Sequence, residues 1–62
     1  MPRIRQIRFG VTYGLRGFFA IMYDEAGPIQ SGIGSYNSAI EARAEAREWA
    51  LSEGYPESAV DL

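Results

Sequence analysis

The longest uninterrupted hydrophobic run in the chain covers residues 18–23, with the sequence Phe-Phe-Ala-Ile-Met-Tyr. Side chains alternate across a β-strand, so such a run presents apolar groups on both faces. One face would carry Phe19, Ile21 and Tyr23, and the other Phe18, Ala20 and Met22. This pattern is typical of a strand that is buried on both sides.

A first strand is predicted before this run, over residues 3–11, where polar and apolar residues alternate. Gly14 and Gly17 flank a turn, so the second strand begins at residue 15 or 16 and ends at residue 23. The apolar positions on one face of the first strand are Ile7, Phe9 and Val11.

A third strand is predicted over residues 29–35, after a hairpin connection at residues 24–28 that contains a glycine suited to positive φ. Gly32 and Gly34 weaken this strand. Because they lack a side chain, they leave room for another backbone or for a bulky ring such as that of Trp49.

One segment has a strong helical signature. Ser38 and Glu41 form a capping box, which predicts a helix over residues 39–53, and Gly54 ends it. Small residues on one stripe let this helix lie close to a sheet, with a tryptophan as the large anchor. The stripe consists of Ala39, Ala42, Ala46, Trp49 and Ala50.

These elements predict an α+β fold, a three-stranded antiparallel meander packed on one C-terminal helix, in a single small domain over residues 1–62. Residues 59–62 are expected to fold back onto the body. A single helix covers only one face of a sheet. The other apolar face of the middle strand therefore needs a second copy, a protein partner or a nucleic acid.

The composition excludes several kinds of site. The chain has no cysteine and no histidine, which rules out disulfides and the usual zinc sites. Its basic residues are all arginine, so the hydroxyl groups have no evident base to activate them. We therefore expect no enzymatic activity, no cofactor, no metal and no small-molecule substrate.

No targeting or membrane segment is predicted either. The first residues, Met-Pro-Arg, lead into alternating charge rather than an apolar run, which is unlike a signal peptide. No stretch approaches the roughly 18 apolar residues of a membrane span. We expect a cytoplasmic protein without a membrane anchor.

The charge of the chain is divided between its two parts. Residues 1–23 carry four arginines and no acid, whereas residues 24–62 carry eight acids and two arginines, giving the net charge of −2. On the helix, Glu41, Glu45 and Glu48 gather opposite the alanine stripe as an acidic column. The column is either a merely solvated face or a contact surface for a basic protein partner.

The basic part of the chain suggests DNA as an alternative partner. Arginines beside aromatic rings can neutralise phosphates while the rings stack on bases. The candidates for this role are Arg5, Arg8, Arg16 and Tyr13.

From Arg8 onward the residue order resembles the plant ethylene-response-factor (Apetala-type) DNA-binding domain, and the arm-binding domains of phage integrases are similar in the same way. The resemblance rests on Gly10-Val11, Gly17-Phe18, Ala20-Ile21, the run Ile33-Gly34-Ser35-Tyr36-Asn37-Ser38, Glu41-Ala42, Ala46 and Ala50. It implies a three-stranded sheet on one helix and a sheet that reads DNA. The arginines and tryptophans that read DNA in the plant family are replaced here by Thr12-Tyr13-Gly14-Leu15 at the turn.

The sequence favours a non-catalytic module that occupies the surface of a protein partner, in the manner of a small phage or mobile-element inhibitor of a host defence system such as an anti-CRISPR protein. The expected contact surface is either the acidic column or an open sheet face with Phe18 and Met22. DNA binding by the basic sheet face is the alternative, and burial of the apolar face in a homodimer is a third hypothesis.

Overall fold

A computed structural model describes residues 6–61 and has the α+β architecture that the hydrophobic pattern predicts. The elements are β1 (Arg8–Gly14), β2 (Gly17–Asp24), β3 (Gly27–Ser31), α1 (Ala39–Ser52) and a 3₁₀ turn (Glu57–Ala59). The strands form one antiparallel sheet in the order β1-β2-β3. Within the described residues, no helix is both long enough and apolar enough to cross a membrane.

The β1–β2 hairpin is tighter than predicted. β1 continues to Gly14, which pairs with Gly17 across a connection of two residues. Gly17 has a φ of +113°, a conformation that favours glycine. A Cβ at this position would also collide with the carbonyl oxygen of Tyr36, because Tyr36 and Phe18 exchange two backbone hydrogen bonds of 2.8 and 2.9 Å. The predicted part of the first strand before residue 6 lies outside the described residues.

The third strand is shorter than predicted and ends at Ser31, because the chain must turn away to bring Tyr36 beside the start of β2. The close approach expected at Gly32 and Gly34 is confirmed, but Trp49 is not the group that approaches. A Cβ on Gly34 would lie 2.5 Å from the Tyr36 hydroxyl and 2.6 Å from a Glu45 carboxylate oxygen.

α1 begins where the capping box predicts. The Glu41 N–H donates to Ser38 Oγ at 3.3 Å, and Ser38 Oγ donates to the Glu41 carboxylate at 3.2 Å. Ala42, Ala46 and Ala50 are fully buried, so the stripe of small residues does face the sheet. The prediction for Ala39 is wrong, because this first helical residue precedes the turn that meets the sheet and is exposed.

The core lies between the sheet and α1, and Phe9 is its largest fully buried side chain. The Phe9 ring makes edge-to-face contacts with Trp49 and Tyr55, at centroid distances of 5.2 and 5.3 Å. These arrangements are the favourable ones for aromatic pairs. The buried residues of the cluster are Phe9, Ala20, Ala46, Ala50, Ala59 and Val60.

The placement of Phe18 and Met22 on an open sheet face is wrong. Ala20 is fully buried against α1, and Met22 packs against the same core. Phe18 shares this side of β2 by alternation and stacks on Tyr13. The small residue Ala20 belongs to the same buried cluster as Ala46 and Ala50 of α1.

The tail folds back, as predicted, and lies beside the outer edge of β1 at Phe9. Val60 forms a parallel bridge with Phe9, and the Asp61 N–H donates to the Phe9 carbonyl oxygen at 2.8 Å. Ala59 and Val60 are buried on the helix side. The tail therefore extends the sheet beside Phe9, and among residues 6–61 no helix or strand packs over the face opposite α1.

Candidate protein-binding site

The face of the sheet opposite α1 carries an apolar strip on β2. Phe19, Ile21 and Tyr23 alternate along the strand toward this face, and all three are half-buried. Among residues 6–61, no helix or strand packs over this strip. The corresponding positions on β1 are Thr12, Gly10 and Arg8.

The centre of this face is a shallow depression. Gly10 pairs with Ile21 and is buried, because the Asp61 carboxylate and the Tyr23 ring lie where its side chain would be. The depression has a volume of about 290 Å³, and Ile21, Tyr23 and Pro28 contribute to its lining. Its rim is formed by Asp61, whose carboxylate would lie 2.8 Å from a Cβ on Gly10.

A polar cluster closes one end of the strip. The Arg8 guanidinium donates to Asp61 at 2.8 Å, and the Tyr23 hydroxyl donates a short hydrogen bond to the other oxygen of the same carboxylate. The hydrogen bond to Asp61 raises the pKa of the Tyr23 hydroxyl, so the phenol stays protonated well into alkaline pH. The same carboxylate raises the pKa of Arg8. The cluster joins the tail to β1 and β2.

This combination of groups suits contact with a macromolecular surface. The strip offers half-exposed apolar area, and the cluster offers directional charged groups at its end. Within the described residues, no group of three or more Asp, Glu, His or Cys side chains could hold a metal ion.

The acidic column is interrupted in the structure. Glu45 accepts hydrogen bonds from the backbone N–H groups of Ile33 and Gly34, both at 3.1 Å, and from the Tyr36 hydroxyl at 2.8 Å. This carboxylate therefore holds the loop after β3 against α1, and it also raises the pKa of the Tyr36 hydroxyl. Glu41 caps the helix, and Glu48 is exposed. Binding of a partner by the acidic column stays a prediction, and the Glu45 carboxylate already accepts hydrogen bonds from the loop after β3.

Among the described residues, the candidates for DNA binding do not form one continuous surface. Arg8 is paired with Asp61, whereas Arg16 is exposed at the β1–β2 turn. Tyr13 is 70% exposed near the same turn, where its ring stacks edge-to-face on Phe18 at 4.8 Å. Arg5 lies outside the described residues.

Sequence reasoning did not identify Asp61 and Tyr23 as partners. Their contact joins residues that are 38 positions apart and depends on the tail lying beside β1. A usable signal was the alternation of the last residues, since a buried Val60 next to an edge strand places Asp61 on the opposite face.

The sequence matches no protein-family model and no curated protein, and no solved structure matches the chain. The resemblance to the ethylene-response-factor and integrase arm-binding domains therefore rests on the residue pattern alone. No match supplies a function for the sheet face opposite α1.

Proposed function

We propose that this protein is a non-catalytic binding module that acts by occupying the surface of a protein partner. The observation that supports this proposal is the apolar strip of Phe19, Ile21 and Tyr23, which faces away from α1 and is only half-buried. Uncovered apolar strips of this kind are typical of interaction sites in small domains.

The apolar area of the strip limits the binding free energy that its burial can supply. Complete burial of such a side chain contributes about 1.5–3 kcal/mol, so burying the remaining half of three side chains offers roughly 2–4.5 kcal/mol. Association itself costs about 4 kcal/mol or more. We therefore expect the partner to extend beyond the strip to the hairpin end, where Leu15 is fully exposed and Tyr13 largely so.

Inhibition of a host defence complex by a phage or mobile-element protein, of the anti-CRISPR kind, is one activity that such occupancy would serve. It requires no catalytic group, because covering a functional surface is enough. This narrower proposal rests on the size and acidity of the chain.

A pull-down from host lysate tests the proposal. The doubly substituted variant Phe19→Thr/Ile21→Thr places threonine, a residue with high β-propensity, at both positions and removes most of the apolar strip. Ile40→Thr is the matched control, because Ile40 is an exposed apolar residue on α1 rather than on the sheet. We expect the wild type and the Ile40→Thr variant to recover a partner that the double variant loses. Recovery of the same proteins by all three would contradict the proposal.

Self-association is measured on the same samples. Light scattering at several concentrations gives the mass of the particle. A dimer that dissociates in the Phe19→Thr/Ile21→Thr variant would show that a second copy, rather than another protein, covers the strip.

Duplex DNA is the second candidate partner. Arg16 and Tyr13 are exposed near the same turn, which places a cation beside a ring that could stack on a base. The resemblance to DNA-binding domains supports the same interpretation. A gel shift at low and moderate salt, with Arg16→Gln as the comparison, tests it. Salt-sensitive binding that weakens in this variant would favour DNA over a protein partner.

A further inference from the structure

A groove separates β3 from the helix. α1 packs across β1 and β2, and within residues 6–61 it does not pack over β3. The resulting groove has a volume of about 320 Å³. Gln30 and Gly32 contribute its floor, and Trp49 and Glu48 line the wall formed by α1. The groove is distinct from the uncovered sheet face, since it lies on the helix side of the sheet.

The free edge of the sheet runs beside this groove. Val60 and Asp61 pair with β1 at Phe9, and among residues 6–61 no strand pairs with the outer edge of β3. The Gly32 N–H points inward and donates to the Ala20 carbonyl oxygen at 2.7 Å. Because backbone groups alternate along an antiparallel strand, the N–H and C=O of Ser31 point outward. An extended chain could pair with them.

The charge of the groove favours a basic occupant. Within residues 6–61, the side chain of Glu48 makes no hydrogen bond or ion pair. Glu45 adds a second negative charge to the lining, and the groove has no arginine. The indole ring of Trp49 is the best aromatic surface for a cation. An arginine or lysine side chain would find both a carboxylate and a ring.

We propose that β3 binds an extended segment of a partner protein as an additional strand, with an arginine or lysine side chain of that segment in the groove against Trp49 and Glu48. This inference rests on the proposed protein-binding function and adds a second contact surface to it. A second copy of β3 is a poorer occupant. Its sequence, Gly-Pro-Ile-Gln-Ser, carries no cation, and its proline lacks an N–H for pairing.

Selection from a displayed library of random peptides tests the inference, followed by titration of the enriched peptides into the intact protein. Trp49 is the only tryptophan of the chain, so its fluorescence reports on the groove directly. We expect enriched peptides to contain an excess of arginine and lysine and to change the Trp49 emission in a saturable way.

Two substitutions separate the two parts of the inference. Ser31→Pro removes the outward N–H and blocks strand pairing, which should weaken binding about tenfold or more. Glu48→Arg reverses the charge beside the indole and should also weaken binding of basic peptides about tenfold. Glu25→Arg is the control for the charge change, because Glu25 is exposed at the β2–β3 turn. Circular dichroism checks that each variant is folded, and Glu48→Arg keeps the test decisive if Ser31→Pro does not fold.

The outcomes are distinct. Peptides without an excess of basic residues, or no enriched peptide at all, would overturn the inference. Binding that is unchanged in folded Glu48→Arg would overturn it as well. If the peptides no longer bind the Phe19→Thr/Ile21→Thr variant but still bind both groove variants, the groove is not their binding site, while the proposed protein-binding function stands.

Discussion

Replacement of Glu45 by glutamine tests whether this carboxylate stabilises the fold or is available to a partner. One carboxylate oxygen accepts from Gly34 and from the Tyr36 hydroxyl, and the other accepts from the Ile33 N–H. In the glutamine variant the amide oxygen can keep the first two bonds. The amide nitrogen then faces the Ile33 N–H, so two donors meet and one bond is lost.

The magnitude follows from these contacts. A hydrogen bond to a charged group contributes about 1.5–3 kcal/mol and a neutral one about 0.5–1.5 kcal/mol, and the half-exposed position favours the lower values. Loss of one bond and weakening of the others should lower the free energy of unfolding by about 1.5–2 kcal/mol. For a domain of this size, that corresponds to a fall in Tm of roughly 6–15 °C.

The assay is thermal unfolding followed by far-ultraviolet circular dichroism, with urea unfolding as the equilibrium measurement. Glu48→Gln is the matched control, since it makes the same charge change one turn further along α1. We expect its Tm to stay close to that of the wild type, because substitutions at exposed positions without contacts usually change stability by no more than about 0.5 kcal/mol. Equal Tm values for the two variants would refute the structural role of Glu45 and leave its carboxylate available to a partner as part of the acidic column.

Three further predictions concern the core, the alkaline limit of stability and the first hairpin. Phe9→Ala should lower the free energy of unfolding by about 3–5 kcal/mol, which is most of the stability of so small a domain, whereas the Phe9→Leu variant should remain folded. Urea unfolding distinguishes the two variants, and similar midpoints would contradict the packing of Phe9 on Trp49. The hydrogen bond to Glu45 raises the pKa of the Tyr36 hydroxyl above its ordinary value of 10.0. The bond therefore stabilises the fold fully below about pH 10, and this stabilisation is lost as the pH rises through the raised pKa. Between neutral and strongly alkaline pH, the urea concentration at the unfolding midpoint should therefore fall less for the Tyr36→Phe variant than for the wild type. An identical fall would argue against the hydrogen bond between Tyr36 and Glu45. Gly17→Ala should destabilise by about 1 kcal/mol or more, because alanine disfavours a φ of +113° and its Cβ would strike the Tyr36 carbonyl; an unchanged Tm would contradict this hairpin geometry.

The helix and the strand order could be predicted because they depend on local signals. Ser38 starts α1 through bonds to a residue three positions away, and the glycines around residues 15–16 mark the first turn. The choice of the covered sheet face was harder, because both faces of β2 are apolar. The two faces differ in size, since the covered one carries Ala20, which is buried together with the alanines of α1. Small residues on facing elements are therefore a better guide than hydrophobicity alone.

The roles of Glu45 and Asp61 could not be predicted from spacing. Each depends on the path of an irregular segment, the loop after β3 for Glu45 and the tail for Asp61. Neither path has a periodic pattern. The acidic column was predicted as one surface because helical geometry alone places its members together, whereas the loop in the structure engages Glu45.

The bridge between Phe9 and Val60 has a consequence for how the protein is made. A ribosome releases the residues of β1 before those of the tail. The outer edge of β1 and the ring of Phe9 therefore lack part of their cover until residue 61 has emerged. We expect the nascent chain to reach its native state only after translation of this segment, and to be most prone to aggregation and to capture by chaperones shortly before then.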